Sequence, residues 1–337
     1  MSLKNALFKI KCIEKATFTN TADIVSALAK KTSKSKLSIF LDMLKCSKKY
    51  GSGPFDYQEF EFYNLNEKER ETYMTRTKNN AIVRKFNKQE DFYIFDDKGK
   101  FNETFSEFMK RDWLVLDGNN YEKFEKFCHG KSDFIAKIID GYGGAGIELI
   151  QIAGKDLKEL YDYLLKNNLL LVEEKIIQHT ELAKLNSTSV NTLRIVSFFD
   201  GEKSHILNTV FKIGNGGITD NFSSGSMYTF VEDGKIIVPA IDRNDDIYEV
   251  HPISKINLIG YNIPNYDKAL ELVTEAAAVV PSIKYVGWDV AITQDDACLI
   301  EGNCYPGVYQ IKPSFVKEKI GLVPVFEKAM NINVKEL

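Results

Sequence analysis

The sequence has no apolar run approaching the roughly 20 residues needed to cross a bilayer. Its opening stretch, Met1-Ser2-Leu3-Lys4-Asn5 followed by scattered Lys, Glu and Thr, has no apolar core of the signal-peptide kind. Neither membrane insertion nor export is expected. Cysteine is scarce. Cys12, Cys46, Cys128, Cys298 and Cys304 form no Cys-x-x-Cys pair, and so sparse and odd a set excludes a dense disulfide framework and suits a reducing compartment. A cytoplasmic location follows as the expectation. His129, His179, His205 and His251 share no metal-ligand spacing, and no Ser-His-Asp or Cys-His signature of a covalent nucleophile is present. A strong excess of one sign of charge is missing too: the net charge of −3 gives no reason to expect a nucleic-acid or anionic-membrane partner. Internal repeats, low-complexity linkers and the glycine fingerprint of a dinucleotide-binding unit are all lacking.

What is present is an ordinary soluble composition, 44% hydrophobic and 27% charged, over 337 residues, enough for two or three subdomains. The spacing of Ile24 and Leu28, and of Leu37, Phe40, Leu41 and Leu44, predicts a mainly helical N-terminal region, interrupted at Gly51-Ser52-Gly53-Pro54, with a second helical stretch from Glu67 to Met74. Strands are expected at Phe134–Ile139, Ile147–Ile152, Leu169–Ile177, Thr192–Phe199, His205–Ile213, Lys235–Ala240, Val286–Thr293 and Ala297–Asn303. Helices are expected at Asp156–Asn167 and from Tyr266 to about Val280. This order means an α+β chain. Its expected parts are a helical region over 1–80 and α+β subdomains over 81–185 and 186–337.

The last two strands carry the most chemistry. Val286, Trp288, Val290 and Ile292 alternate to form one apolar face, leaving Asp289 on the other between the small residues Gly287 and Ala291. Glu301 and Asn303, two apart, share a face of the next strand. If Gln294-Asp295-Asp296 forms a three-residue loop, Asp289 lies opposite Glu301, with Cβ atoms about 4.5–5.5 Å apart. Two carboxylates that close repel unless a cation intervenes, and converging Asp, Glu and Asn oxygens suit Mg²⁺. Asp289, Glu301 and Asn303 are therefore the candidate metal ligands; an ordinary solvated hairpin is the alternative.

A glycine cluster, Gly141-Tyr142-Gly143-Gly144-Ala145-Gly146, follows Lys137, a cation inside an apolar strand. Backbone N–H groups of such a loop can bind phosphate oxygens, though a plain surface turn has the same composition. Arg194 and Lys212 also sit in apolar strands, where each alone could snorkel from a sheet edge. Together with the carboxylates, the three cations suggest a polyphosphate site, with Arg194 able to brace a phosphoryl group. The segment Leu170–Ile177 ends in a polar hinge that could meet an adenine edge.

Together these motifs resemble the ATP-grasp superfamily, and more narrowly its sugar-transfer-associated branch, found with polysaccharide biosynthesis. The resemblance covers roughly Gly51 to Leu322. It is carried by Ser189–Val196 (SVNTLRIV), Asn221–Gly225 (NFSSG), the VGWDVAIT and LIEGN segments between Val286 and Asn303, and the Gly53-Pro54-x-Asp56-Tyr57-x-x-Phe60 region. It implies an ATP-grasp fold, two α+β subdomains clamping ATP, after the helical region. Lys137 would then contact ATP phosphates under a loop of Gly143, Gly144 and Gly146. Glu173, Glu174 and Ile176 would form the adenine hinge, Glu181 would bind ribose, and Lys88 would be an earlier nucleotide-contacting lysine. Arg194, helped by Lys212, would stabilise the transferred phosphoryl group, and Asp289, Glu301 and Asn303 would hold Mg²⁺. The chain departs from the family in having Lys137-Ile138 where a Lys-Pro pair is usual, and in lacking a Rossmann-like unit at its N-terminal side.

The function this implies is an ATP- and Mg²⁺-dependent carboxylate–amine ligase working through an acyl phosphate, with a sugar acid or amino acid as one substrate. A kinase acting on a hydroxyl, or a nucleotide-binding regulatory protein without turnover, would use the same site.

Overall fold

The computed structural model describes residues 21–140, 146–216 and 225–337. The chain folds as two compact units, one running up to Ile82 and completed by Gly307–Leu337, the other spanning Val83–Pro306. Among the described residues no helix is long and apolar enough to cross a membrane.

The first unit is helical, as the spacing of its apolar residues predicts. Residues 21–32 form a helix, and a second, Lys36–Tyr50, begins at Ser35, whose side chain accepts from the Ser38 amide, and ends at Gly51. Short helices at Pro54–Glu59 and Glu67–Glu71 follow. Buried charge ties them together. Arg70 donates to both oxygens of Asp42, at 2.9 and 2.7 Å, and to the Phe62 carbonyl, while the Tyr57 hydroxyl also reaches Asp42. Asp56, in the Gly53–Phe60 motif, receives the Gly53 and Arg76 amides and the Arg76 guanidinium, a structural employment.

The second unit holds two antiparallel sheets. The first is built from β1 (Trp113–Val115), β2 (Asp133–Lys137), β3 (Ile147–Gln151) and β4 (Leu171–Glu173), in the order β1-β4-β2-β3. One face is covered by helices Tyr121–Cys128 and Leu157–Lys166, with Phe124, Phe134, Tyr161, Leu164 and Val172 in the core. Asp156 caps the second helix, accepting from the Lys158 and Glu159 amides. The extended stretch expected from Leu169 to Ile177 is a strand only as far as Glu173; beyond it the backbone leaves the sheet.

The second sheet contains β5 (Thr192–Phe199), β6 (Ser204–Ile213), β7 (Met227–Glu232), β8 (Lys235–Ile236), β9 (Ala240–Asp242), β10 (Ile247–Tyr248), β11 (Tyr285–Ile292) and β12 (Ala297–Asn303). Its order is β10-β9-β7-β6-β5-β11-β12, with β8 paired to β7. The single strand expected over Lys235–Ala240 is thus two short ones, and β7 was not anticipated. β11 is buried on both faces. Trp288 packs edge-on to Phe105, with ring centres 5.3 Å apart, and donates its indole N–H to the Ser197 hydroxyl at 2.9 Å. Helix Tyr266–Ala276 buries Ala269, Leu272, Val273 and Ala276 in the same core. Short helices between Val83 and Met109, also unanticipated, supply Phe95, Phe101 and Phe105 to it.

Candidate active site

Strand pairing lines up three charges across adjacent strands. Glu301 on β12 faces Asp289 on β11, which faces Arg194 on β5. The expected Asp289–Glu301 pairing is present, but it is reached by another route. Ile292 pairs with Ala297, so the connecting loop is one residue longer than a Gln294–Asp296 turn, and a bulge between Asp289 and Val290 restores the register. Arg194 pairs with Val210 on β6, which puts Lys212, two residues on, on the same face.

The four side chains converge. Arg194 grips Asp289 with two N–H groups, at 2.6 and 2.9 Å, and Lys212 donates to both Asp289 oxygens at 2.8 and 2.9 Å. The third guanidinium edge donates to the Pro306 carbonyl at 2.9 Å. All three side chains are more than nine-tenths buried. Burial by itself would raise the Asp289 carboxyl, but the charges of Arg194 and Lys212 outweigh it and hold that carboxyl well below the usual range. Glu301 moves the other way: burial, then the negative charge of Asp289, pushes its carboxyl up. The protein's own cations therefore balance Asp289, so the closeness of the two acids does not by itself call for a metal. The small residue Gly287 does not leave ligand room either. A Cβ there would stand 2.9 Å from Pro306 and 3.2 Å from Arg194, so the space serves that packing.

Beside this row lies a cavity of 260 Å³ bordered by Lys98, Lys137, Glu173, Glu301, Asn303 and Tyr305, among others. Glu173 anchors it. Its carboxylate is buried and accepts from Asn102 at 2.7 Å, from Arg111 at 3.0 Å, and from Lys137 in a close ion pair. Burial opposes ionisation of Glu173, yet Arg111 and Lys137 bring its carboxyl down to about 2. The expected hinge residue thus spends its side chain on positioning Lys137. Lys98 is a cavity residue that sequence reading missed. It opens the helix Lys98–Thr104, and its amide is bonded to the Ile139 carbonyl at 3.2 Å, just beyond β2. Burial pushes its ammonium down, against the attraction of Glu301.

The remaining expected residues lie elsewhere. Glu174, Ile176 and Glu181 do not line this cavity; Glu181 opens the helix Thr180–Leu185 and pairs with Lys184 at 2.7 Å. Lys88 borders a different cavity, described below. Gly143 and Gly144, and most of Asn221–Gly225, lie outside the described residues. Gly146 closes the β2–β3 hairpin. Its carbonyl accepts from the Ile138 amide at 3.1 Å, its φ is +70°, and a Cβ there would stand 2.7 Å from Ile138, so only glycine fits.

As a donor set, Glu301 and Asn303 offer hard oxygens at the cavity wall, the type Mg²⁺ takes. Asn303 donates its amide N–H to Glu301 at 3.4 Å, leaving its side-chain oxygen available. Glu301, raised by burial and by Asp289, is a carboxylate that a further cation would relieve. These two residues fit the ion; Asp289 would join them only by sharing oxygens already held by Arg194 and Lys212.

The Glu173 cluster makes a pH-dependent contribution to stability. Its folded carboxyl titrates near 2, below the ordinary 4.5. The stabilisation is therefore complete above about pH 4.5 and fades as pH falls towards 2, with a size on the order of 3 kcal/mol. Glu173→Gln should be less stable than wild type to urea at pH 6, and the difference should shrink steadily below pH 4.5, closing only as pH approaches 2. Parallel curves would show that Glu173 is not the titrating group.

Among curated protein sequences none matches the chain. Solved structures that resemble it include the ATP-grasp ligase PsnB bound to a minimal precursor, at 15% identity and TM-score 0.37 over 65% of this chain and 55% of that one. The D-alanine–D-alanine ligase of Bacillus anthracis resembles it at 13% identity and TM-score 0.39, over 72% and 66%. An L-amino acid ligase of Bacillus licheniformis does so at 13% and 0.37, over 63% and 41%. The chain thus spans less than two thirds of the length of each of these structures. The profile of the sugar-transfer associated ATP-grasp proteins matches residues 77–319, most of the chain and all of the site just described. The chain belongs to the sugar-transfer associated ATP-grasp family.

Proposed function

We propose that the protein is an ATP-dependent carboxylate–amine ligase. The observation that carries this reading is the paired arrangement of Lys98 and Lys137 with Glu301 and Asn303 around one cavity, backed by the buried Arg194–Asp289–Lys212 cluster. In this reading a carboxylate oxygen of the substrate attacks the γ-phosphorus of ATP, the bond to the β,γ-bridging oxygen breaks, and ADP leaves. The lone pair of an amine then attacks the acyl carbon, phosphate departs with the C–O bond pair, and the amine proton passes to solvent.

No protein nucleophile is needed, and the work of the chain is positioning and charge. Lys137, held by Glu173, and Lys98 bind phosphate oxygens. Arg194 and Lys212, locked on Asp289, keep positive potential beside Glu301 where charge accumulates on the transferring group. Mg²⁺ held by Glu301 and Asn303 would neutralise phosphate charge. The glycine cluster over 141–146, the hinge at Glu173, Glu174 and Ile176, and Glu181 on ribose complete the nucleotide site in this proposal. Its two subdomains are 81–185 and 186–337, supported by one sheet on either side of residue 186. The acid is a sugar acid or amino acid, in keeping with the family's association with sugar transfer, and the product serves capsule or cell-surface polysaccharide. A reducing cytoplasm is the proposed setting, supported by Cys46, Cys128, Cys298 and Cys304, all free and buried.

The test is ADP release from MgATP with a panel of uronic and amino acids, each with and without amines. Release that requires both an acid and an amine, with free phosphate as co-product, is the expected result. A stable phosphoester formed from a hydroxyl would replace the ligase by a kinase, and nucleotide binding without any turnover would favour a regulatory protein.

A further inference from the structure

A second cavity, of 640 Å³, shares Tyr305 as a border with the cavity around Lys137 and Glu301. Its size is that of a small-molecule site, and its charge is one-sided. Arg84, Lys85, Lys88 and Lys284 line it, and among the described residues no carboxylate does. Four cations around one concavity repel each other, and the cheapest relief is a bound anion. Two of them have local employment: Lys284 donates to the Asp200 carbonyl at 3.1 Å, and Lys85 lies over the Phe86 ring. The ion pairs found among the described residues include neither Arg84 nor Lys88.

The walls are fixed from beneath. Asn87, almost fully buried, donates to the carbonyls of Tyr285 and Cys304 at 2.7 and 3.1 Å and accepts from the Tyr285 amide at 2.8 Å. The Lys88 amide donates to the Ser282 carbonyl at 3.0 Å. The one acid of the adjoining turn whose bonding is defined, Asp91, is taken up by the Ser282 hydroxyl at 2.6 Å. The segment bearing Arg84 to Gln89 is thereby stitched to the start of β11 and to the residue just after β12, the strands that carry Asp289 and Glu301. Tyr305, 54% exposed, is supported edge-on by Phe92 at 5.8 Å and turns a large ring to the boundary of the two cavities. A cationic rim with an exposed aromatic ring suits a ligand that has an apolar ring face and a negative group.

We propose that this cavity binds the sugar-type substrate of the reaction through its anionic group, with Arg84, Lys88 and Lys284 on the anion and Tyr305 on the ring. The inference rests on the ligase reading for the identity of the reaction, while the binding itself does not require turnover. A carboxylate and a phosphate ester share the chemistry the site recognises, and the experiment separates them.

Galacturonate, glucose 1-phosphate and neutral glucose are titrated calorimetrically into the full-length protein with a non-hydrolysable ATP analogue present at saturation. The same titrations are run on Arg84→Ala/Lys284→Ala and on Tyr305→Ala, each checked for a wild-type melting profile. The expected result is binding of one or both anions and not of glucose, weakened at least about tenfold in the double variant and falling with added salt. Galacturonate alone would assign a sugar acid; glucose 1-phosphate alone would assign a sugar phosphate. No binding of either anion, equal binding of glucose, or unchanged affinity in both variants would overturn the proposal. Failure of the ligase reading shows differently, as intact anion binding without acid-dependent ADP release.

Discussion

Asp289→Ala should lower stability by roughly 3–5 kcal/mol, because it takes from Arg194 and Lys212, both buried, the carboxylate that each of them grips. The geometry leaves little room for relief. Arg194 and Lys212 are each about nine-tenths buried. Asp289→Asn keeps an acceptor oxygen and should cost less than alanine, though it still surrenders the charge that both cations face. Arg194→Lys retains the charge but loses the two-pronged grip on Asp289 and the bond to the Pro306 carbonyl. It should be milder than Asp289→Ala in stability while losing most activity. Urea unfolding of the purified variants measures the series. A loss under 1 kcal/mol for Asp289→Ala would mean that water reaches the cluster and that it is not the buried electrostatic anchor described here.

Glu301→Gln should act in opposite directions on stability and on turnover. Burial and the charge of Asp289 raise the Glu301 carboxyl above its ordinary value. An acid whose folded value is raised opposes folding once pH passes the unfolded value, so ionised Glu301 is a liability in the free protein at pH 7 and neutral below about pH 4. Removing the charge should therefore raise the free protein's stability at pH 7, with no gain at pH 4. The same change deletes the carboxylate proposed for Mg²⁺, and acid-dependent ADP release should fall at least about 100-fold. Thermal melts at the two pH values, paired with turnover, separate a functional acid from a structural one. A variant that is both less stable and fully active would sink the assignment.

How much of this could be read from sequence depends on the range of the interaction. The Asp289–Glu301 pairing was legible because it is set within one hairpin by alternation and a short loop, although the loop and the bulge compensate for each other in a way no periodicity shows. Arg194 could be flagged as a cation in an apolar strand, but not as the partner of Asp289. That contact joins residues 95 apart through the pairing of β5 with β11. Glu173 was read as part of a hinge because two acids follow an apolar strand. The bonds its side chain makes depend on Asn102, Arg111 and Lys137 arriving from three other segments.

Lys98 carries no signal in the sequence for a related reason. It stands beside Lys100 in a short polar helix, with none of the apolar context that made Lys137 conspicuous. The helices between Val83 and Met109 are too short to show a clear period of their own. Lys88, picked out on resemblance, borders the larger cationic cavity instead of the one around Lys137. The strand β7 is bracketed by Gly225-Ser226 and Asp233-Gly234, turn signals that would have justified proposing it.

The measurement that bears most directly on the central claim follows the carboxylate oxygen. The acid that supports turnover is labelled with ¹⁸O in its carboxylate, and the phosphate released with MgATP and the amine is analysed by mass. Attack by the carboxylate puts one labelled oxygen in each phosphate, because the acid oxygen becomes the bridge to phosphorus and leaves with it. Unlabelled phosphate, with both labelled oxygens retained by the acid, would contradict phosphoryl transfer to the carboxylate and with it the ligase reading.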